Sequence, residues 1–253
     1  MMIRSADLPP DMAAVVAFED RYRAGFVDPP HSHDRAQLSF ALSGVLTVNT
    51  VDASFALPPN RAIWIPAHTT HQTICRSDVV FQALYIDPRF VRQPRRCRVF
   101  EASPLVRSLA NEITTFDYRY AMEGREAAIV QLLLDEIERM PVVPLRAELP
   151  DDRRLRRVCE AILADPADTH DIDYWAKQAG MARRTFTRCF REQTGMGLAT
   201  WRRQVRVMEA ASRIAAGEPI TSVAYDVGYD SPSAFTAMFH RTFGATPSTY
   251  CRC

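Results

Sequence analysis

Two hydrophobic periods divide this chain. Between residues 25 and about 95, apolar and polar positions alternate over short runs, the pattern of half-buried strands. Gln37-Leu38-Ser39-Phe40-Ala41-Leu42 alternates, Ser43-Gly44 turns, and Val45-Leu46-Thr47-Val48 alternates again, which predicts a hairpin. Phe55–Leu57, Ala62–Ile65 and Val79–Ile86 supply further strands. Short strands punctuated by Gly and Pro predict an antiparallel barrel or jelly roll. From about residue 100 to 140 the period becomes helical. Ser103 is placed to cap a helix that has Pro104 in its first turn. A second helix, Glu126 to Met140, spreads Ile129, Val130, Leu132, Leu133, Leu134 and Ile137 wider than one stripe, which predicts burial on two sides. Pro141 to Pro150 breaks the pattern repeatedly and marks a linker. Asp151-Asp152 then opens a second, helical half, whose first apolar face is Leu155, Val158, Cys159, Ile162 and Leu163.

That second half contains one pattern twice. Ala176, Gly180, Phe186, Phe190 and Gly195 reappear as Ala224, Gly228, Phe235, Phe239 and Gly244. A small Ala allows close helix crossing, and Gly four residues later permits a tight turn. The Phe pair at i, i+4 packs one face of the following helix and leaves the other free for a DNA groove. This is a helix-turn-helix written twice, about residues 172–194 and 220–243, with Leu198–Ala216 as the connecting helix. Tyr225 and Tyr229 are expected in the core.

With Arg188, Arg206, Ala210, Ile220, Tyr229, Ser231, Pro247 and Tyr250, these residues resemble the DNA-binding domain of the AraC/XylS family of transcription regulators. The resemblance covers about the last hundred residues. It implies an α+β multidomain chain: a cupin-like antiparallel β-barrel with flanking helices over 1–145, and an all-α double helix-turn-helix over 146–253. It also implies a homodimer formed through residues 100–140, double-stranded operator DNA as partner, RNA polymerase as a further one, and a small-molecule effector. The connector sets the recognition helices about one DNA turn, roughly 34 Å, apart. Arg206 is expected to be structural.

Charge changes the picture only locally. The net charge is +1, but Arg183 to Arg213 holds eight arginines against Glu192 and Glu209. Phosphate binding follows that local field rather than the total. On the first recognition helix, Arg183, Arg184, Thr187, Arg188 and Arg191 are the DNA candidates. Arg184, Thr187 and Arg188 match positions the family uses for base edges, where Arg binds guanine with two hydrogen bonds. On the second, Ser231, Ser233, Thr236 and Arg241 are the candidates, with more weight on phosphate and shape.

Chemistry in the first half rests on histidines. Gly25, His31, His33, Gln37 and Gly44 resemble the first cupin motif with Gln replacing Glu. Pro66 to His71 resembles the second, with His68 where Gly is usual. His31 and His33, at i and i+2 on one strand, are expected to face the barrel interior. His31, His33, Gln37 and His71 then form either a site for a divalent ion (Zn, Fe, Mn or Ni) or the polar lining of an effector pocket. Trp64 is a further effector candidate, with Phe40, Phe81 and Tyr85 as other walls. His68 and Arg35 are mouth candidates. The competing class is a metal-dependent cupin enzyme, of dioxygenase or isomerase type, with a DNA-binding tail. A fused DNA-binding half favours sensing over turnover, so no catalytic residues are assigned. Arg35–Leu38 and Arg61–Pro66 look like a subgroup that often controls a neighbouring efflux gene, which implies repression of an efflux or catabolic gene. No apolar run reaches transmembrane length and no signal peptide is apparent, so the cytoplasm is expected. Pro9-Pro10 is assigned to an N-terminal arm, and Cys251 and Cys253 to a tail with incidental thiols.

Overall fold

The computed structural model describes residues 12–92 and 94–250. The Pro9-Pro10 arm and the Cys251/Cys253 tail lie outside the described residues. The strands are β1 (Val15–Tyr22), β2 (Val27–His31), β3 (Ala36–Ser43), β4 (Leu46–Thr50), β5 (Ala53–Leu57), β6 (Arg61–Ile65), β7 (His71–Cys75), β8 (Val79–Ile86), β9 (Arg98–Glu101), β10 (Val142–Val143) and β11 (Arg146–Glu148). They form two sheets in the orders β1-β8-β3-β6-β9-β10 and β11-β5-β4-β7-β2. The expected barrel is therefore corrected: the two antiparallel sheets do not close, and each keeps two edges. Part of the expected linker also joins the sheets, as β10 beside β9 and β11 beside β5. Strands of two and three residues are too short to leave a period in the sequence.

The chain forms two compact units. One holds the residues up to Val48 with Leu57–Val143; the other holds Asn49–Ala56 with everything from Pro144. In the first unit, helices α1 (Pro104–Ile113) and α2 (Gly124–Arg139) cover one face of the six-stranded sheet. Ser103 caps α1 by accepting from the Val106 amide at 3.1 Å. Leu38, Phe40, Trp64 and Leu84 meet Val106, Leu109, Val130, Leu133, Leu134 and Ile137 in the core between sheet and helices. Within the single chain α2 is buried on one side. Its buried residues form one stripe, and Leu132 is exposed.

In the second unit, α3 (Arg153–Ala164) is capped by Asp152. Then follow α4 (Ile172–Gln178), α5 (Arg183–Thr194), α6 (Leu198–Ala215), α7 (Ile220–Asp226), α8 (Pro232–Phe243) and α9 (Pro247–Tyr250). Phe186, Phe190, Phe235 and Phe239 are all fully buried, as their spacing predicts. Trp201 of the connector α6 packs edge-on against Phe190, at 6.0 Å between ring centroids. Tyr225 is a correction, since it is exposed rather than core. Tyr229 packs on Phe235 at 5.6 Å. The turn glycines Gly180 and Gly228 take φ of +63° and +83°, the left-handed conformation that favours glycine.

Candidate DNA interface and histidine cluster

The α4–α5 turn sets the first recognition helix. Phe186 and Phe190 bury one face of α5, so positions 183, 184, 187, 188 and 191 fall together on the opposite, exposed face. Arg183, Arg184, Thr187, Arg188, Arg191 and Glu192 line one open groove of about 760 Å³. The structure thus brings together all five residues proposed from the sequence on this helix. Their electrostatics differ. Arg183 pairs with Asp173 at 2.7 Å, and Arg188 lies 3.2 Å from both carboxylate oxygens of Glu192. Both pairs are largely solvent-exposed and contribute little to stability, so a phosphate or a base edge can replace the partner at low cost. No ion pair is recorded for Arg184 or Arg191 among the described residues. Thr187 spends its hydroxyl proton on the Arg183 carbonyl, 2.9 Å away, and keeps its acceptor lone pairs.

On α8, Ser233 and Arg241 are exposed and Thr236 is half-buried. Ser231 serves as the helix cap, its hydroxyl accepting from the Ala234 amide at 3.2 Å. That role is structural and follows from its position immediately before Pro232.

Between the two helix-turn-helix copies lies a second concavity of about 440 Å³, lined by Thr169, Arg203, Tyr229 and Asp230 among others. Arg206 is inside the fold there. Its Nε donates to the Pro166 carbonyl at 2.8 Å, Nη1 to Gly228 at 2.9 Å and Nη2 to Asp168 at 2.9 Å. Arg202 is likewise spent on the carbonyls of Asp168 and His170. Arg203 is exposed on the same rim. Sequence reasoning did not bring Thr169 and Arg203 to one concavity, because 34 residues separate them and neither belongs to a recognition helix.

The histidine cluster lies in the first unit. His31 closes β2 and His71 opens β7, directly opposite each other in register. His33 does not share a strand with His31 as expected; it sits two residues past the end of β2. The three rings nevertheless converge, with centroid separations of 4.3 Å (31–71), 5.3 Å (33–71) and 6.1 Å (31–33). One nitrogen from each lies within 4.8 Å of the others. Gln37 of β3 completes the group, with Oε1 2.8 Å from His33 Nε2 and Nε2 donating to Ser39 Oγ at 2.8 Å. Burial lowers the His71 pKa to about 4 and lowers that of His33 as well, the Gln37 contact opposing the second shift.

The turn that presents His71 is pinned to the same place. The His68 amide donates to the His33 carbonyl at 2.7 Å, and His68 takes φ of +61°. That conformation explains why Gly is usual at the position.

Trp64 is not part of this group. It pairs with Leu38, the neighbour of Gln37, so its side chain takes the helix-facing side of the sheet while Gln37 takes the other. Phe40 joins Trp64 in that core, whereas Tyr85 stands edge-on to His33 at 5.2 Å. Arg35 is no mouth residue either, since its guanidinium holds the carbonyls of Met12 and Ala13 at 3.0 and 2.7 Å.

Comparison with known proteins finds relatives for both halves of the chain. Residues 13–148 match the family described as AraC-like ligand binding domain, and residues 175–252 match a helix-turn-helix domain family. The HTH-type transcriptional regulator NimR of Escherichia coli is 30% identical over 226 residues, covering 88% of this chain and 81% of NimR. The arabinose operon regulatory protein of Escherichia coli is 29% identical, over 51% of this chain and 46% of that protein. Among solved structures, ToxT from Vibrio cholerae aligns over 95% of this chain and 98% of its own, at 12% identity and a TM-score of 0.40. Among the described residues, no helix is long and apolar enough to cross a membrane.

Proposed function

The chain belongs to the AraC family of transcription regulators, and from that premise we propose that α5 is its principal reader of operator DNA. The family assignment gives it a ligand-binding amino-terminal domain and a DNA-binding helix-turn-helix domain. The observation that carries the finer reading is the exposed row Arg183, Arg184, Thr187, Arg188 and Arg191, set above two fully buried phenylalanines. A row of cations with hydrogen-bond donors on a helix held rigidly from behind suits the major groove. Arg184 and Thr187, nearer the amino end, take base edges together with Arg188. Arg183 and Arg191 take phosphates. On α8, Ser233, Thr236 and Arg241 make fewer contacts, with Arg241 on phosphate.

Effector binding in the amino-terminal half biases how the two recognition helices meet DNA. It does so only to the extent that the effector binds one arrangement more tightly than another. A second copy of the chain on a second half-site belongs to the same reading, with the exposed Leu132 of α2 as an apolar contact for it.

The test is fluorescence anisotropy on the duplex fragments that co-purify with the full chain. Arg184→Ala should cost about 1–3 kcal/mol on the specific fragment and relax preference at one base pair. Arg241→Ala should weaken binding about equally on all sequences and lower the salt slope by about one. If Arg184→Ala binds the specific fragment as the parent does, α5 is not the reading helix in the manner proposed.

A further inference from the structure

We propose that His31, His33 and His71, with Gln37 as a fourth donor, bind a divalent first-row transition-metal ion. The proposal rests on reading this half as the sensor only for its regulatory meaning, because the site itself is argued from geometry.

The first argument concerns where the ring protons sit. His31 Nδ1 lies 2.9 Å from the Pro29 carbonyl, His33 Nδ1 2.6 Å from that of Arg35, and His71 Nδ1 2.9 Å from that of Thr69. A carbonyl oxygen can only accept, so each Nδ1 carries a proton and donates it. With one proton on the ring, Nε2 of His31 and of His71 is then a bare lone pair, while His33 Nε2 faces Gln37 Oε1, itself an acceptor, so that a proton or a cation has to lie between the two. Anchoring one ring nitrogen to a carbonyl while the other points inward is how metal-binding imidazoles are oriented. Two backbone segments, residues 29–35 and 69–71, hold the three converging rings in the same tautomer.

The second argument concerns what those lone pairs meet. His71 is 1% exposed, and its Nε2 has no hydrogen-bond partner among the described residues. A buried, unpaired acceptor is costly to keep. It is more costly beside other acceptors, since lone pairs in one place repel unless a cation lies between them. A tetrahedral ion with bonds of about 2.0 Å needs ligand atoms roughly 3.3 Å apart, so small side-chain rotations close a triad already within 4.8 Å. His33 Nε2 and Gln37 Oε1, 2.8 Å apart as a hydrogen-bonded pair, separate by about half an ångström to share the ion.

The donor set selects the ion. Imidazole nitrogens suit zinc, nickel, cobalt or iron, whereas calcium and magnesium require oxygen ligands. The Asp28 carboxylate stands behind His31, with Oδ2 3.6 Å from Nδ1, rather than in the donor set. Four neutral donors leave the charge of the ion uncompensated. Such a site holds its ion less tightly than one with a carboxylate, which is what exchange with a cellular pool requires of a sensor.

The experiment uses the full chain, stripped by chelator and titrated with cobalt(II), with uptake followed by equilibrium dialysis and by the ligand-field absorption of the ion. One ion should bind per chain, zinc should displace it, and His71→Ala should lower affinity by at least about a hundredfold. Gln37→Glu, which supplies the missing carboxylate, should tighten binding at least tenfold. That variant keeps the test decisive even if His71→Ala folds poorly. The proposal is overturned if the parent chain takes up no ion in excess of His71→Ala, or if folded Gln37→Glu shows no gain. Operator binding by the same preparations separates the two readings. Cobalt uptake without DNA binding would remove the regulator assignment of α5 and leave the metal site, and the reverse would remove the metal site alone.

Discussion

Replacing Arg206 by Met tests whether the two helix-turn-helix copies are held together from within. The substitution keeps the apolar stem and removes the guanidinium. Three hydrogen bonds of 2.8–2.9 Å are lost, to Pro166 and Asp168 ahead of the first copy and to Gly228 in the turn of the second. A hydrogen bond involving a charged group is worth about 1.5–3 kcal/mol, but Arg206 is only half-buried and water will reach some of the released carbonyls. Taking about 1 kcal/mol net for each bond gives a loss of about 3 kcal/mol. In urea, with a slope near 2 kcal/mol/M, the midpoint should fall by about 1.5 M. Fluorescence of Trp175 and Trp201, both in the helical unit, reports the transition. Arg206→Lys should recover little, because a point charge cannot reach three carbonyls that diverge around a planar fork. Gly228→Ala should act on the same clasp, since an added Cβ would lie 2.8 Å from Arg206 Nη2 at a φ of +83°. Gly180→Ala meets nothing within 4 Å and should cost only the conformational strain, about 1 kcal/mol. A loss below about 1 kcal/mol for Arg206→Met, or equal losses at the two glycines, would refute the clasp.

Gly44→Ala should destabilise the first unit by more than about 2 kcal/mol, combining positive-φ strain with overpacking. The new Cβ would lie 2.1 Å from the Asp78 carbonyl oxygen, and thermal unfolding followed by circular dichroism measures the loss. Burial pushes the Asp168 carboxyl up, but the His170 hydrogen bond and the charges of His170 and Arg202 outweigh it and hold the group below its usual 3.8. A depressed folded pKa gives stability that is present above 3.8 and lost as pH falls through the folded value. Asp168→Asn should therefore be less stable than the parent at pH 7 and closer to it near pH 2, by urea titration at both. An unchanged gap would remove Asp168 from the acid response. Arg188→Ala should change stability by less than about 0.5 kcal/mol, because its pair with Glu192 is exposed, while lowering operator affinity. A large stability loss would make Arg188 structural.

The helical half was legible because its rules are local. A Phe pair at i, i+4 fixes a face, and a turn that needs positive φ fixes a glycine, so the positions of α5 and α8 follow from spacing. The first half was legible in its strands but not in their sides. β3 is buried on both faces from Ala36 to Ala41 and β6 throughout, so alternation does not say which face meets the helices and which meets the histidines. Trp64 was misplaced for that reason. The histidine cluster itself was legible, although His33 reaches it from beyond the strand. The bonds of Arg206 left no trace, because carbonyl acceptors some 40 residues away carry no side-chain identity.

The scaffold of the two helix-turn-helix copies is repeated, yet their outward surfaces are not. α5 presents four arginines, while the candidates on α8 are short hydroxyls and a single late arginine. A chain lying along a duplex is therefore a vector with a strongly cationic head and a weakly cationic tail. Its target has a left and a right, and turning that target end for end reverses which copy faces the transcription start.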